Sequence, residues 1–357
     1  MTQAAQLAQY GANNVGLSFK NRIINGDMTI DQRNNGGAVT GQQYLVDRWR
    51  SWFDPGTYSF QQVTDAPAGF TNSLRVTKTN TTQSSYGFIA QYIEGFNCAD
   101  LAFGTANAQP VTVSFWVKSS VTGAFTVAIG NSAENRWYGA NYSISAANTW
   151  EYKTVTIPGD TTGTWLTNNG IGVQLSFNFG QAASAQAAGV WTTSFNARAA
   201  TGSTNLGTTN GATWQVTGVQ LEEGTAASPF ENRLIGTELA LCQRYYYRMS
   251  NTSDASSVPF GLGFTRASNA IRPFINFPVQ MRVRPTGVET SGVASHYSVY
   301  YAGDAIAVCN AVPDFDIASR ETALLGAAVS GTPFPAGGVT YFRSNSTSAY
   351  LGFSAEL

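Results

Sequence analysis

Residues 111–118, VTVSFWVK, set Val111, Val113, Phe115 and Val117 on one side of an extended chain. Thr112, Ser114, Trp116 and Lys118 fall on the other. A period of two with one apolar face is the mark of a half-buried antiparallel strand. The pattern recurs. IGVQLSFNF (171–179) aligns Ile171, Val173, Leu175, Phe177 and Phe179, and AFTVAIG (124–130) aligns Phe125, Val127 and Ile129. TWEYKTVTIP (149–158) and TWQVTGVQL (213–221) are further strand candidates, with NNGG, PGD and TNNG as turns between strands. The 36 glycines and 13% aromatic content agree with an all-β chain rich in turns. A β-sandwich is expected over 19–232 and a smaller β domain over 249–357. The latter is drawn from FGLGFT, RPFINFPVQM, SVYYAG and AYLGFSAEL.

Between them, 233–248 reads as a connector of helix and then strand. In TELALCQRYYYR, Thr237 can cap a helix, Glu238 sits near its positive end, and Leu239, Cys242 and Tyr246 share a face. At the other end, TQAAQLAQY followed by GANNVG suggests a short helix in 1–18, read either as a frayed terminus or as an anchor segment that orders on a larger assembly.

Charge narrows the function classes. The chain is 11% charged, with a formal net charge of -1 and no basic block, so neither a nucleic-acid footprint nor a basic membrane-binding face is expected. No apolar run of about 18 residues predicts membrane insertion, and the N-terminus lacks the basic and apolar regions of a secretion signal. Cys98, Cys242 and Cys309 are far apart and odd in number, which reads as buried thiols of a protein made in a reducing compartment. The single His296 and the lack of Cys-x-x-Cys exclude common zinc patterns.

Catalytic patterns are sparse. His296 would have to serve any Ser-His-Asp set, and no Gly-x-Ser-x-Gly elbow or phosphate loop is present. Asp47, Glu94 and Asp100 stand among aromatics, an environment that raises a carboxyl pKa, but spacing selects no pair for glycoside hydrolysis. No catalytic residue is assigned. Sugar binding fits better, because aromatic rings stack on the C–H faces of sugars while amides and guanidinium groups hold hydroxyls. ENRWYGANY (134–142) gathers both types on an expected loop: Asn135, Arg136, Trp137, Tyr138 and Tyr142, with Trp165 and Trp191 as further rings; the other reading of these rings is that they fill the sandwich core or a subunit interface. The remaining charge gathers at 218–248. Glu231 with Arg233, and Glu238 with Arg244 or Arg248, are expected as ion pairs at a domain joint and subunit contact.

Two stretches carry a family resemblance: FKNRIINGDMTIDQRNNG…YLVDRWR and GVQLEEGTAASPFENRLIGTELALCQRYYYR. With QYIEGFNCADLAFGTANAQPVTVSFWVKSS and ISAANTWEYKTVTIPGDTTGTWLTNNGIGV, they resemble bacteriophage tail-fibre and receptor-binding proteins over 17–248. The inner framework is also similar to the jelly roll of carbohydrate-binding modules. The resemblance implies a virion component, assembled in the host cytoplasm. Such a protein would be a homotrimer that binds host surface glycans and joins other virion proteins through 1–18. It also implies a structural calcium beside Asp27, although Thr217 and Gly218 stand where such modules place an acidic pair. A decoration protein without a glycan ligand and a polysaccharide depolymerase are the alternatives.

Overall fold

A computed structural model describes residues 19–54, 57–80, 82, 86–180, 185–250, 257–301, 305–335 and 337–357. The expected anchor, 1–18, lies outside them. The chain divides into two compact units. The first comprises Met1–Thr29, Ala38–Gln43 and Arg50–Arg233; the second comprises Ile30–Gly37, Tyr44–Trp49 and Leu234–Leu357. Both are built on antiparallel sheets, and the chain is all-β.

Strands of the first unit are β1 (Trp49–Phe53, whose first residue falls in the second unit), β2 (Tyr58–Val63), β3 (Ser73–Lys78), β4 (Gly87–Glu94), β5 (Val111–Ser119), β6 (Gly123–Gly130), β7 (Trp137–Ile144), β8 (Glu151–Ile157), β9 (Ile171–Gly180), β10 (Trp191–Thr192) and β11 (Thr213–Glu223). They form two sheets, β2-β3-β11-β5-β8 and β1-β4-β9-β6-β7-β10, in jelly-roll order. The alternation read from the sequence fills the space between them: Phe115 packs on Phe177 at 4.8 Å between ring centroids, and Phe179 packs on Trp214 at 6.0 Å. β9 departs from simple alternation. Its second face, Gln174, Ser176 and Asn178, is also buried. The segment after β10 helps cover that side of the sheet, where Arg198 donates to Gln174 at 3.2 Å and the amide of Ala200 donates to Thr126 at 3.0 Å.

The second unit holds helix α1 (Ile235–Gln243) and strands β12 (Tyr246–Ser250), β13 (Pro259–Ala267), β14 (Ala270–Asn276), β15 (Glu289–Thr290), β16 (Tyr297–Tyr301), β17 (Ala305–Val308), β18 (Asp314–Ala318), β19 (Thr322–Ala328), β20 (Val339–Ser344) and β21 (Tyr350–Ser354). A three-stranded sheet runs β12-β21-β15, and a seven-stranded one runs β17-β16-β20-β13-β14-β19-β18. The helix starts two residues before the expected Thr237 cap, with Leu234 at the cap position and no side-chain cap; Glu238 does lie in its first turn.

The boundaries differ from the sequence reading in one respect. Ile30–Gly37 and Tyr44–Trp49, expected in the sandwich, belong to the second unit, and so does most of the expected connector. Charge and ring chemistry explain this. Arg33 lies 3.5 Å from the Tyr246 ring centroid and bonds Glu356 at 3.3 Å. Arg48, fully buried, lies 3.5 Å over Tyr245 and pairs with Glu356 too. Gln32 donates to Asp47 and to the Tyr246 carbonyl.

Candidate functional site

The outer face of the β2-β3-β11-β5-β8 sheet presents one transverse polar row. Pairing sets Gln61 opposite Arg75, Arg75 opposite Gln215, and Gln215 opposite Lys118. The row on the same face one step along sets Thr217 opposite Trp116 and Trp116 opposite Tyr152. Side chains alternate across a strand, so the apolar Val113, Phe115 and Val117 turn inward while Trp116 and Lys118 turn out. Trp116 and Tyr152 lie 5.4 Å apart, and Tyr152 is exposed. The Lys118 ammonium sits 5.1 Å over the Trp150 ring.

Asp65 organises these groups. It pairs with Lys118 and accepts from Gln215 at 3.2 Å and from the Trp150 indole at 3.4 Å. Arg75 donates to Gln61 at 2.9 Å, and Ser73 to Gln215 at 3.2 Å. The bond from Lys118, opposed by desolvation and aided by Gln215 and Trp150, holds the Asp65 carboxyl below its usual pKa. A carboxylate held ionised in this way is unsuited to act as a general acid at neutral pH. What the face offers is two indoles and a phenol beside fixed amide, guanidinium and carboxylate groups. That suits neutral, hydroxyl-rich ligands.

Of the two sequence readings of the rings at 134–142, a binding loop or core filling, burial favours core filling. Trp137 is completely buried, because the turn at 194–200 lies over it with Arg198 4.1 Å from its ring. Tyr142 is a core residue, 4.9 Å from Phe115 and accepting from the Trp214 indole at 3.2 Å. Tyr138 is buried against Trp191 at 5.3 Å. Asn135 is exposed in the turn before β7, where Asn131 holds it at 2.8 Å. Arg136 grips Asp160 with two bonds of 2.7 Å. Burial pushes the Asp160 carboxyl up, but the Arg136 fork and Thr162 outweigh it and hold it below the ordinary range. Trp165 and Trp191 pack edge-on at 5.7 Å and also meet Phe103; their indole N–H groups donate to the Thr162 and Pro158 carbonyls. The expected site therefore staples loops together. The signal for the sheet face was present in VTVSFWVK, where Trp116 is the one ring on the polar side.

The charged stretch 218–248 also divides. Glu231 bonds the Asn21 amide at 2.7 Å and Arg233 at 3.5 Å, and Arg233 donates to the Ile23 carbonyl, all within the first unit. Pro229 and Phe230 follow the end of β11, and Phe230 packs on Phe70 at 5.1 Å. In the second unit Glu238 is buried in α1, Arg244 lies 6.0 Å from the Tyr245 ring centroid, and Arg248 turns to the Arg33 carbonyl and the Tyr350 ring. A carbonyl and a ring hold Arg248, and its charge also acts on the Asp31 carboxylate.

Asp27 accepts from the Thr29 amide at 3.3 Å, while the Thr217 hydroxyl donates to the Asp27 carbonyl at 3.1 Å. Among the described residues no group of three His, Cys, Asp or Glu side chains gathers there or elsewhere. Asp47 is buried in the second unit, whereas Glu94 and Asp100 lie in the first, where Asp100 pairs with Arg22.

No family model and no curated protein matches the chain. Solved structures do. A tailspike protein 4 domain of bacteriophage CBA120 matches at 13% identity and TM-score 0.33, over 57% of this chain and 22% of that one. A family 4 carbohydrate-binding module matches at 15% and 0.31, over 56% and 98%. The family 11 module of Clostridium thermocellum, solved with a mixed-linked tetrasaccharide, matches at 17% and 0.28, over 53% and 95%.

Proposed function

We propose that the first unit is a non-catalytic glycan-binding domain and that the chain is a receptor-binding component of a phage virion. An extended polysaccharide lies along the sheet face, its apolar faces on Trp116, Tyr152 and Trp150 and its hydroxyls on Arg75, Gln61 and Asp65, while the buried Gln215 holds Asp65 in place. The observation that carries this is the pairing of Trp116 with Tyr152 on an otherwise polar sheet surface, beside the Asp65–Lys118 pair. The virion role rests on the sequence blocks quoted above. Its partners are host surface glycans, further copies of the chain, and other virion proteins through 1–18.

Affinity electrophoresis against a panel of bacterial capsular polysaccharides and lipopolysaccharide O-chains tests the domain. Loss of one stacking ring, Trp116→Ala or Tyr152→Ala, should weaken binding about tenfold, or ~1.4 kcal/mol. Trp165→Ala should leave it nearly unchanged. Equal loss from all three variants, or retention in all, would refute the assignment of the face. Mass spectrometry of purified particles tests the virion role.

A further inference from the structure

We infer that the second unit carries a binding site of its own, built around Arg343, for a saccharide residue that bears a carboxylate. It lies apart from the sheet face assigned above, takes charged sugars where that face suits neutral ones, and stands if that reading fails. Register sets its residues in place. β20 runs inside the seven-stranded sheet, between β16 and β13. Thr340, Phe342 and Ser344 are buried on one side of it, so Val339, Tyr341 and Arg343 take the other. Across the pairing, Leu262 stands opposite Tyr341 and Pro259 opposite Arg343 on β13, with Tyr300 and Ser298 opposite them on β16. A bulge between Pro259 and Gly261 interrupts the ladder here. At this point a cavity of ≈ 600 Å³ opens, and its lining includes Ser257, Pro259, Phe260, Leu262, Tyr341 and Arg343. Small-ligand pockets are commonly about 300–1,000 Å³, and bulges often re-aim side chains beside such sites.

Arg343 supplies the charge in this lining, and its guanidinium is held in place. It lies 4.2 Å from the Tyr300 ring centroid, and its Nε donates to the Ser344 carbonyl at 3.3 Å. Tyr300 in turn stacks on Tyr341, with 4.6 Å between centroids and 17° between planes. Among the described residues no carboxylate pairs with Arg343, and its two terminal amino groups donate to nothing. Beside it on the same face, Ser298 is fully buried and its hydroxyl has no partner among the described residues. A planar fork fixed in this way matches a carboxylate through two parallel bonds. One guanidinium balances a monoanion, whereas a phosphate monoester, with about two charges at neutral pH, calls for a second cation.

The rest of the lining suits a sugar. The Ser257 and Tyr341 hydroxyls also bond nothing among the described residues, which leaves a donor and acceptor at each for a polyol. The Tyr341 ring, Leu262 and Pro259 offer an apolar surface to its C–H groups. A peptide strand has no purchase here. β13 and β20 each have a neighbour on both sides, so their backbone groups are already spent on the sheet. Charge along the face points the same way. Arg272 is answered by Asp316 at 3.3 Å and Asp314 at 3.9 Å. Arg266, exposed beyond Phe264 on β13, has no carboxylate partner among the described residues and adds to the positive potential that an acidic chain would meet.

Isothermal titration of the full chain with oligomers of galacturonate and of mannuronate, and with sialyllactose, tests the site. At least one should bind, and its counterpart with the carboxyl group reduced to an alcohol should bind at least about tenfold more weakly. Arg343→Gln should abolish this binding with an unchanged circular dichroism spectrum. Arg343→Lys, which keeps the charge but loses the fork, should recover only part of it. Trp116→Ala should leave it intact. The comparison of acidic with reduced sugars uses wild-type protein, so it decides the matter even if Arg343→Gln misfolds. No heat from any acidic probe at ~10 mM, enough to reveal a Kd of ~1 mM, overturns the proposal. So does equal binding of the reduced sugars, or poly-glutamate binding as tightly as the acidic sugars, which would make the site a reader of acidic peptides. Loss in Trp116→Ala with retention in Arg343→Gln would move acidic sugars to the first unit, which overturns this site and leaves the sheet-face reading standing.

Discussion

Trp137 lies beneath the Arg198 guanidinium, at 0% exposure, while Trp116 stands on the solvent side of β5 beside Tyr152. Deleting the two rings should therefore produce opposite phenotypes. Trp137→Ala removes a ring packed with Ala128 and Ala197 and should cost about 3–5 kcal/mol of stability. Denaturant unfolding should show this as a lower midpoint, while folded protein retains its glycan affinity. A stable variant with lost affinity would return Trp137 to the binding site. The local sequence could not separate these outcomes. ENRWYGANY holds the ring and its polar neighbours, but the turn that buries it is written at 194–200, and no local period connects the two. Trp116, by contrast, was legible from its strand alone, because alternation fixes which side it takes.

At the scale of elements, alternation carried the strands because each half-buried strand records its own orientation. It failed for Ile30–Gly37 and Tyr44–Trp49, which are held by cation–ring and carboxylate contacts with no periodic signature. Those segments also titrate. Burial pushes the Asp47 carboxyl up to about 7; bonds from Gln32 and the charge of Arg33 oppose this, and Glu356 adds to it. A folded-state pKa above the unfolded value means that folded protein binds more protons between about pH 4 and 7. Stability contributed by Asp47 is thus present at pH 4 and is lost as the pH rises through 7. Thermal unfolding should show the second unit melting higher at pH 5 than at pH 8, with a smaller gap in Asp47→Asn. An identical gap in that variant would exclude Asp47 as the source.

For the whole molecule, the second unit needs residues from two distant parts of the chain. Residues 234–357 alone lack Arg33, Arg48 and Asp47, leaving the Glu356 carboxylate and the faces of Tyr245 and Tyr246 without their partners. Uncompensated buried charge is strongly destabilising. Expressed by itself, this segment should give weak hydrogen-exchange protection around Tyr245 and Tyr246. Protection should rise when a peptide spanning 30–49 is supplied. Full protection without the peptide would show that residues 30–49 are dispensable. The sequence blocks at 17–50 and 218–248 acquire a common physical origin here, since parts of both meet in one charged and aromatic network.

That interleaving bears on how such a chain can diversify. A genetic crossover near residue 233 would join a new first unit to an old second one. It would also carry away residues 30–37 and 44–49, which fit the old partner. Exchange of the first unit by a single cut there would be penalised. Swaps confined to stretches such as 50–233, flanked by residues 30–49 and 234–357, would be tolerated. Residues 30–37 and 44–49 thus act as a compatibility tag, and variation on the sheet face would accumulate inside the boundaries that they set.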